Sequence, residues 1–195
     1  AVCDIKEPNL NRAIDLVAKE RNGRKPAGYS QGPKDYQRML QRDDLDAVIV
    51  GTPMQVHAPM SIDALRAGKH VLSEVAAAMT VDECWGLVRA AEETGKIYML
   101  SENCCYFQPV MMIRNMVSKG LFGELTYAEC GYVHCCRGLM FEGDGTLTWR
   151  GEMLRDYLGN LYPTHAIGPV AQWMGIHRGD RMVSLVAGST GQSNL

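Results

Sequence analysis

The chain has 195 residues, 46% of them hydrophobic and 22% charged, with a formal net charge of -2, which is an ordinary globular composition for one large domain or two small ones. That near balance gives no basic field for nucleic acid and no polybasic patch for anionic lipid, and no apolar run approaches the roughly 20 residues that span a bilayer. The seven cysteines are odd in number and include the adjacent pairs Cys104-Cys105 and Cys135-Cys136, which argues against a secreted disulfide framework and for reduced, mostly buried thiols.

The chain opens on Ala1-Val2-Cys3-Asp4, read as a strand end, with neither an initiator Met nor a signal-peptide pattern. Leu10, Ala13, Ile14, Val17 and Ala18 then recur at helical spacing, which predicts a helix from Asn9 to about Arg21. Gly23, Pro26 and Gly28 break it, and a second helix is expected from Pro33 to Arg42. Asp46 to Pro53 reads as a short, fully buried strand running into a loop. A helix from His57 to Ala67 follows, with Gly68 as its C-cap. Lys69 to Glu74 is the next strand. Thr80 with Glu83 three residues on is a capping box for a helix that runs to Thr94 and stops at Gly95. Ile97 to Leu100 closes the series as another buried strand.

Strands alternating with helices imply a parallel sheet with right-handed crossovers, in which ligands sit beyond the carboxyl ends of the strands. The residues to inspect are therefore Asp4, Thr52 to His57, Glu74 to Ala76, and Ser101 to Cys105. From Pro109 the pattern changes. A helix is predicted from Val110 to Lys119, then a one-face-exposed strand from Glu124 to His134. An irregular stretch follows from Arg137 to Gly159, then a helix from His165 to Met174 and a strand-like Met182–Ala187. The boundary falls near Gln108, giving domains over 1–108 and 109–195. The fold class expected is α/β: a truncated Rossmann parallel sheet with helices, then part of an α+β domain with a mainly antiparallel or mixed sheet. Both ends are expected to be cut from a longer chain.

The run Asp46 to Pro53 with His57, followed by Ala67-Gly68-Lys69-His70-Val71-Leu72-Ser73-Glu74, resembles the nucleotide-domain signature of the Gfo/Idh/MocA oxidoreductases. Gly120-Leu121-Phe122-Gly123-Glu124 resembles the opening of their second domain. The resemblance implies NAD as cofactor and a G-x-G-x-x-G loop upstream of Ala1. Asp4 would then meet the adenosine ribose. Thr52, Met54, Gln55, Val56, His57 and Asn103 would line the cofactor, with Glu74 and Val75 on the nicotinamide side. One departure matters. The dehydrogenases of that family carry Glu-Lys-Pro where this chain has Glu74-Val75-Ala76, and a valine neither donates nor accepts a proton.

Gly159-Asn160-Leu161-Tyr162-Pro163-Thr164-His165, continuing through Gly168-Pro169-Val170-Ala171-Gln172, is similar to the NAD-dependent α-N-acetylgalactosaminidase-type glycosidases, which also lack that Lys. These differ from two-carboxylate glycosidases. The implied route is redox-neutral. Oxidation at the sugar C3 acidifies the C2 proton, a base removes it, the aglycone leaves C1 by elimination, water adds, and C3 is reduced again. Tyr132, Tyr162, His165 and Glu102 are the implied catalytic set, and Tyr132, Arg150, Tyr162, Pro163, Thr164 and His165 the implied sugar contacts. Tyr132, with a phenol pKa of about 10 in water, needs a neighbouring positive charge to act as a base, and Arg150 is the candidate. Outside that resemblance, His165 reads as a helix cap, Tyr132 as a packing aromatic and Tyr162 as a turn aromatic. The expected partner is a small sugar or glycoside, and a homo-oligomer through the second-domain sheet is a further expectation. The alternatives are an NAD-dependent sugar or polyol dehydrogenase and a non-catalytic NAD binder. Cys130, His134, Cys135 and Cys136 fit no standard zinc spacing, so no metal is expected. His70 reads as structural and His177 as a surface residue.

Overall fold

A computed structural model describes residues 1–157 and 159–189, so residue 158 of the irregular stretch and the last residues of the second domain lie outside the described residues. The chain divides into two compact units, Ala1–Ser73 with Ala78–Met99, and Glu74–Ala77 with Leu100–Leu195.

In the first unit, β1 (Val2–Cys3) pairs in parallel with β2 (Gly28–Tyr29), and α1 (Glu7–Glu20) connects them. Gly28 had been read only as a helix breaker. It opens β2 because a Cβ there would lie 2.9 Å from the Ile14 side chain of α1. The second sheet has the order β3 (Ala47–Val50), β4 (His70–Ser73), β5 (Tyr98–Leu100), with β3 and β4 parallel and in register from Ala47 with His70 to Val50 with Ser73. Between these strands run α2 (Asp35–Leu40), α3 (His57–Arg66) and α4 (Val81–Thr94). Leu40, Val48, Val50, Ala64, Leu65, Val71 and Ala90 form one buried cluster. Burial alternates along β3, with Ile49 78% exposed, so the strand is covered on one face and not buried on both as its composition suggested.

The punctuation follows local chemistry. Thr80 accepts from the Glu83 N–H at 3.2 Å while the Glu83 carboxylate accepts from the Thr80 N–H at 3.2 Å, which closes the capping box. Gly95 ends α4 in the left-handed region at φ 64, where a Cβ would be strained. His70 is structural: its Nδ1 accepts from the Ile97 N–H at 3.0 Å and ties β4 to the lead into β5.

The second unit is helical among the described residues: α5 (Gln108–Ser118), α6 (Trp149–Asp156) and α7 (Pro163–Trp173), with a 3-10 turn at Asn103–Tyr106 packed against α5 and α7. The sequence missed α6. Thr148 caps it by accepting from the Gly151 N–H at 3.3 Å, a weaker signal than a full capping box. The strand expected from Glu124 to His134 and the strand-like Met182–Ala187 are not strands here; Tyr127 is 77% and Val133 101% exposed. Alternation specifies faces, but a strand exists only where a neighbour takes its backbone hydrogen bonds, and no described segment does so. The cysteines differ from expectation for a related reason. All seven are free, but only Cys105 is buried; Cys130 lies exposed in that unpaired segment and Cys135 just after it.

Thr80→Ala removes one side of the capping box and is expected to cost about 1 kcal/mol. Urea unfolding followed by circular dichroism measures this, and an unchanged midpoint would show that the box carries no stability.

Candidate functional site

The second unit gathers a polar cluster around α7. Glu102 precedes the 3-10 turn, and its side chain bends back so that Oε1 accepts from the Cys104 backbone N–H at 3.0 Å. The same oxygen meets His165 Nδ1 at 2.7 Å, across 63 positions of sequence. Glu102 is only 6% exposed. His165 sits in the first turn of α7, which Pro163 starts with a backbone angle already suited to a helix. Gly168 lets the helix come close, since a Cβ there would lie 2.9 Å from Cys105 Sγ and 3.0 Å from Glu102 Cγ. Pro169, inside the same helix, has no N–H to give to the His165 carbonyl one turn back.

The charge state of this pair follows from its surroundings. Burial pushes the Glu102 carboxyl up, but hydrogen bonding by Thr164, His165 and the Cys104 N–H outweighs burial and holds it below its ordinary value. Thr164 Oγ1 and Glu102 Oε2 are both buried and close no hydrogen bond of normal length, although the hydroxyl lies near enough to favour the carboxylate. An ionised Glu102 only accepts, so His165 Nδ1 carries the proton. Nε2 is then the nitrogen left for other chemistry.

Two tyrosine rings lie against the imidazole. The Tyr162 ring stacks on it at 5.4 Å between centroids and 1° between planes, and the Tyr132 ring lies at 4.7 Å with a 58° tilt. Arg150, from α6, donates from Nε to the Tyr162 hydroxyl at 3.0 Å, with its guanidinium 4.2 Å above the Trp149 ring. The positive charge expected beside Tyr132 therefore lies against Tyr162. Burial raises the Tyr132 phenol, and Cys136, Cys104, Tyr162 and Glu102 raise it further, so Tyr132 keeps its proton at neutral pH. Its hydroxyl pairs instead with His134 Nδ1 at 2.9 Å, and Cys136 Sγ lies 3.3 Å from that same nitrogen.

The structure brings Tyr132, Arg150, Tyr162, Thr164, His165 and Glu102 together, with Pro163 setting the helix start. Cys104 is among the residues flagged after the last strand, but its role of aiming Glu102 through its N–H is not legible in the sequence. Any residue supplies an N–H, so its type carries no signal. Asn103 is exposed at the start of the turn. Val75 is 7% exposed, and Glu74 before it is exposed.

In the first unit, Asp4 follows β1 and its Oδ1 accepts from the Lys6 N–H at 2.7 Å. Beyond β3, His57 Nε2 donates to the Thr52 carbonyl at 2.6 Å, and His57 and Met54 are each 1% exposed. They shape the turn from inside. Thr52 Oγ1 and Gln55 Oε1 are buried without closing a hydrogen bond, and Val56 is half-buried between Gln55 and His57. Two orphaned polar oxygens in a loop after a parallel strand suit a polar ligand such as a dinucleotide.

Residues 2–102 match the family model described as the oxidoreductase family with an NAD-binding Rossmann fold, and residues 106–195 match the C-terminal domain of glycosyl hydrolase 109. Over 97% of its length the chain is 46% identical to a glycosyl hydrolase family 109 protein of Shewanella baltica and 44% identical to an alpha-N-acetylgalactosaminidase of Shewanella oneidensis. The chain spans 41% of the length of either relative. The apo scyllo-inositol dehydrogenase of Lactobacillus casei superposes with a TM-score of 0.66 at 18% identity, covering 89% of this chain and 46% of that one, which is a likeness of fold.

Because the Glu102 carboxyl lies below its ordinary 4.5, it binds fewer protons in the folded than in the unfolded chain. Its contribution is present above that pH and is lost as pH falls through the depressed folded value. Glu102→Gln is expected to be less stable than the wild type at pH 7, with the gap closing below the ordinary value. Thermal unfolding across a pH series tests this, and a gap independent of pH would refute it.

Proposed function

This chain belongs to the oxidoreductase family whose NAD-binding Rossmann domain matches residues 2–102, and from that premise we propose that the protein is an NAD-dependent, redox-neutral glycoside hydrolase acting on terminal sugars such as N-acetylgalactosaminides. The observation that carries the proposal is the Glu102–His165 pair with Tyr132, Tyr162 and Arg150 around it, in a chain whose family lysine position holds Val75. The nucleotide domain is assigned to 1–108 and the sugar domain to 109–195. Asp4, Thr52, Met54, Gln55, Val56 and His57 serve NAD from the first, and Glu74, Val75 and Asn103 complete the cofactor set. NAD, when bound, supplies reversible hydride exchange with the sugar C3.

The remaining steps belong to this chain's own side chains. A ketone at C3 makes the C2 proton acidic enough for a weak base. His165 takes that proton on Nε2 while Nδ1–H stays bonded to the Glu102 carboxylate, which stabilises the imidazolium that results. Arg150 already donates to the Tyr162 oxygen, so the Tyr162 O–H is left to donate to a sugar oxygen. Tyr132 keeps its proton at neutral pH and serves as a donor to the departing oxygen at C1. Water then adds at C1, and His165 returns its proton to C2. No net redox change occurs, and neither of two opposed carboxylates is required.

The test uses the full-length protein, chromogenic α- and β-glycosides and NAD+, with aglycone release and nicotinamide absorbance followed together. The expected result is release that depends on NAD+ with no net NADH, and a loss of roughly 10²- to 10⁴-fold in kcat for His165→Ala. Tyr132→Phe is expected to lower kcat more for poor leaving groups than for good ones. Steady NADH accumulation on a free sugar would instead establish a dehydrogenase, and full activity in both variants would remove these residues from the site.

A further inference from the structure

The turn that aims Glu102 also brings a thiol to the pair. A carboxylate oxygen of Glu102, Sγ of Cys104 and a ring nitrogen of His165 all lie within 4.8 Å of one another. Glu102 is 6% exposed, and its Oε2 is buried without closing a hydrogen bond, so one carboxylate oxygen is still short of a partner. Cys104 is half-buried, and the His165 side chain is 11% exposed.

We propose that Glu102, Cys104 and His165 form a binding site for a zinc-like divalent ion. One thiolate, one imidazole and one carboxylate are three of the ligand types zinc takes, and three protein ligands leave the fourth position of the tetrahedron to water or another oxygen donor. Calcium and magnesium are disfavoured, because they call for six or more oxygen ligands or near-octahedral oxygen geometry. Bond lengths of about 2.3 Å to sulfur and about 2.0–2.1 Å to nitrogen or oxygen set ligand separations of roughly 3.3–3.6 Å in a tetrahedron. Closing from 4.8 Å to that range takes about an ångström of side-chain movement. The His165 Nδ1 to Glu102 Oε1 distance, now 2.7 Å, must open by a comparable fraction if both atoms ligate.

The chemistry balances without an oxidant. The ion enters as a dication, the Cys104 thiol gives its proton to solvent, and an Nδ1 ligand would give up its proton as well, so binding strengthens with rising pH. Zinc spacing rules miss the site because two ligands are two positions apart on a tight turn and the third comes from a helix 61 positions after Cys104. The site does not rest on the glycosidase reading, since occupancy is measured without substrate. If that reading holds, the ion takes both members of the proton-handling pair, and zinc inhibits.

The experiment titrates the full-length protein with zinc chloride in a calorimeter and with cobalt chloride in a spectrophotometer, in buffer free of chelating thiols. The result expected is one equivalent of zinc, a thiolate-to-cobalt charge-transfer band, and binding at least tenfold weaker in Cys104→Ser. Cys136→Ser is the control, because Cys136 Sγ stands 3.3 Å from His134 in the other cysteine–histidine contact of this unit. It should leave the band and the affinity in place. His165→Ala, expected to lose the same binding, replaces Cys104→Ser should that variant fail to fold. No stoichiometric zinc in the wild type, or binding that survives Cys104→Ser and disappears in Cys136→Ser, overturns the assignment. Loss of zinc binding in Cys104→Ser, together with steady NADH accumulation on a free sugar by the wild type, would leave the site standing and the glycosidase reading refuted.

Discussion

The Glu102–His165 hydrogen bond is the constraint that organises the second unit. A 2.7 Å contact between residues 63 apart requires that the turn after β5 and the first turn of α7 be held in fixed register. Three local features do so. The Cys104 N–H fixes the Glu102 carboxylate, Pro163 starts α7 just before His165, and Gly168 allows the helix to approach where a side chain would collide with Glu102 and Cys105. An ionised carboxylate at 6% exposure is costly unless its oxygens are met by donors. Here the donors outweigh burial, and the carboxyl lies below its ordinary range. The imidazole is thereby fixed in one tautomer, which is what a directional proton acceptor needs.

The two tyrosines beside His165 are chemically distinct although their rings are similarly close. Tyr162 accepts from the Arg150 guanidinium and stacks flat on the imidazole. Tyr132 has no cation against it, is raised by burial and by neighbouring thiols, and hydrogen-bonds to His134. A single cation placed on one phenol and not the other separates their roles. Neither ring stands alone, since Tyr132 also tilts against Tyr162 at 6.3 Å. Movement of either therefore alters the surroundings of the imidazole.

Helices and caps were legible in the sequence because their signals are local. The Thr80–Glu83 box, the stop at Gly95 and the apolar spacing of α1 and α3 each depend on residues within a few positions. What needed a distant partner was not legible. Gly28 reads as a breaker until Ile14 is seen beneath it. The alternating stretch 124–134 reads as a strand, yet alternation does not name the neighbour that would pair with it. The site divides in the same way. Glu102, Tyr132, Arg150, Tyr162 and His165 were identified through the Tyr162-Pro163-Thr164-His165 segment and its resemblance. The partner of Arg150 differs from the one expected, and the part Cys104 plays is not legible because backbone donors leave no trace in residue type. The short helix α6 was lost inside a stretch rich in glycine and charge, where propensity is a weak guide.

The absence of a lysine at Val75 is physically consistent with the pair at Glu102 and His165. Val75 is 7% exposed, and an ammonium at that depth would need a paired anion to remain charged. A valine at the same place removes that cost along with the proton it could have moved. In the proposed reaction proton handling then falls to His165, because any positive charge its imidazole gains appears 2.7 Å from the compensating negative charge of Glu102. The carboxylate and the histidine come from separate stretches of the same unit, so the pair forms only when the turn after β5 and α7 are both in place. Displacement of the turn would separate the pair, and an ion held by Glu102, Cys104 and His165 would occupy the carboxylate that orients the imidazole.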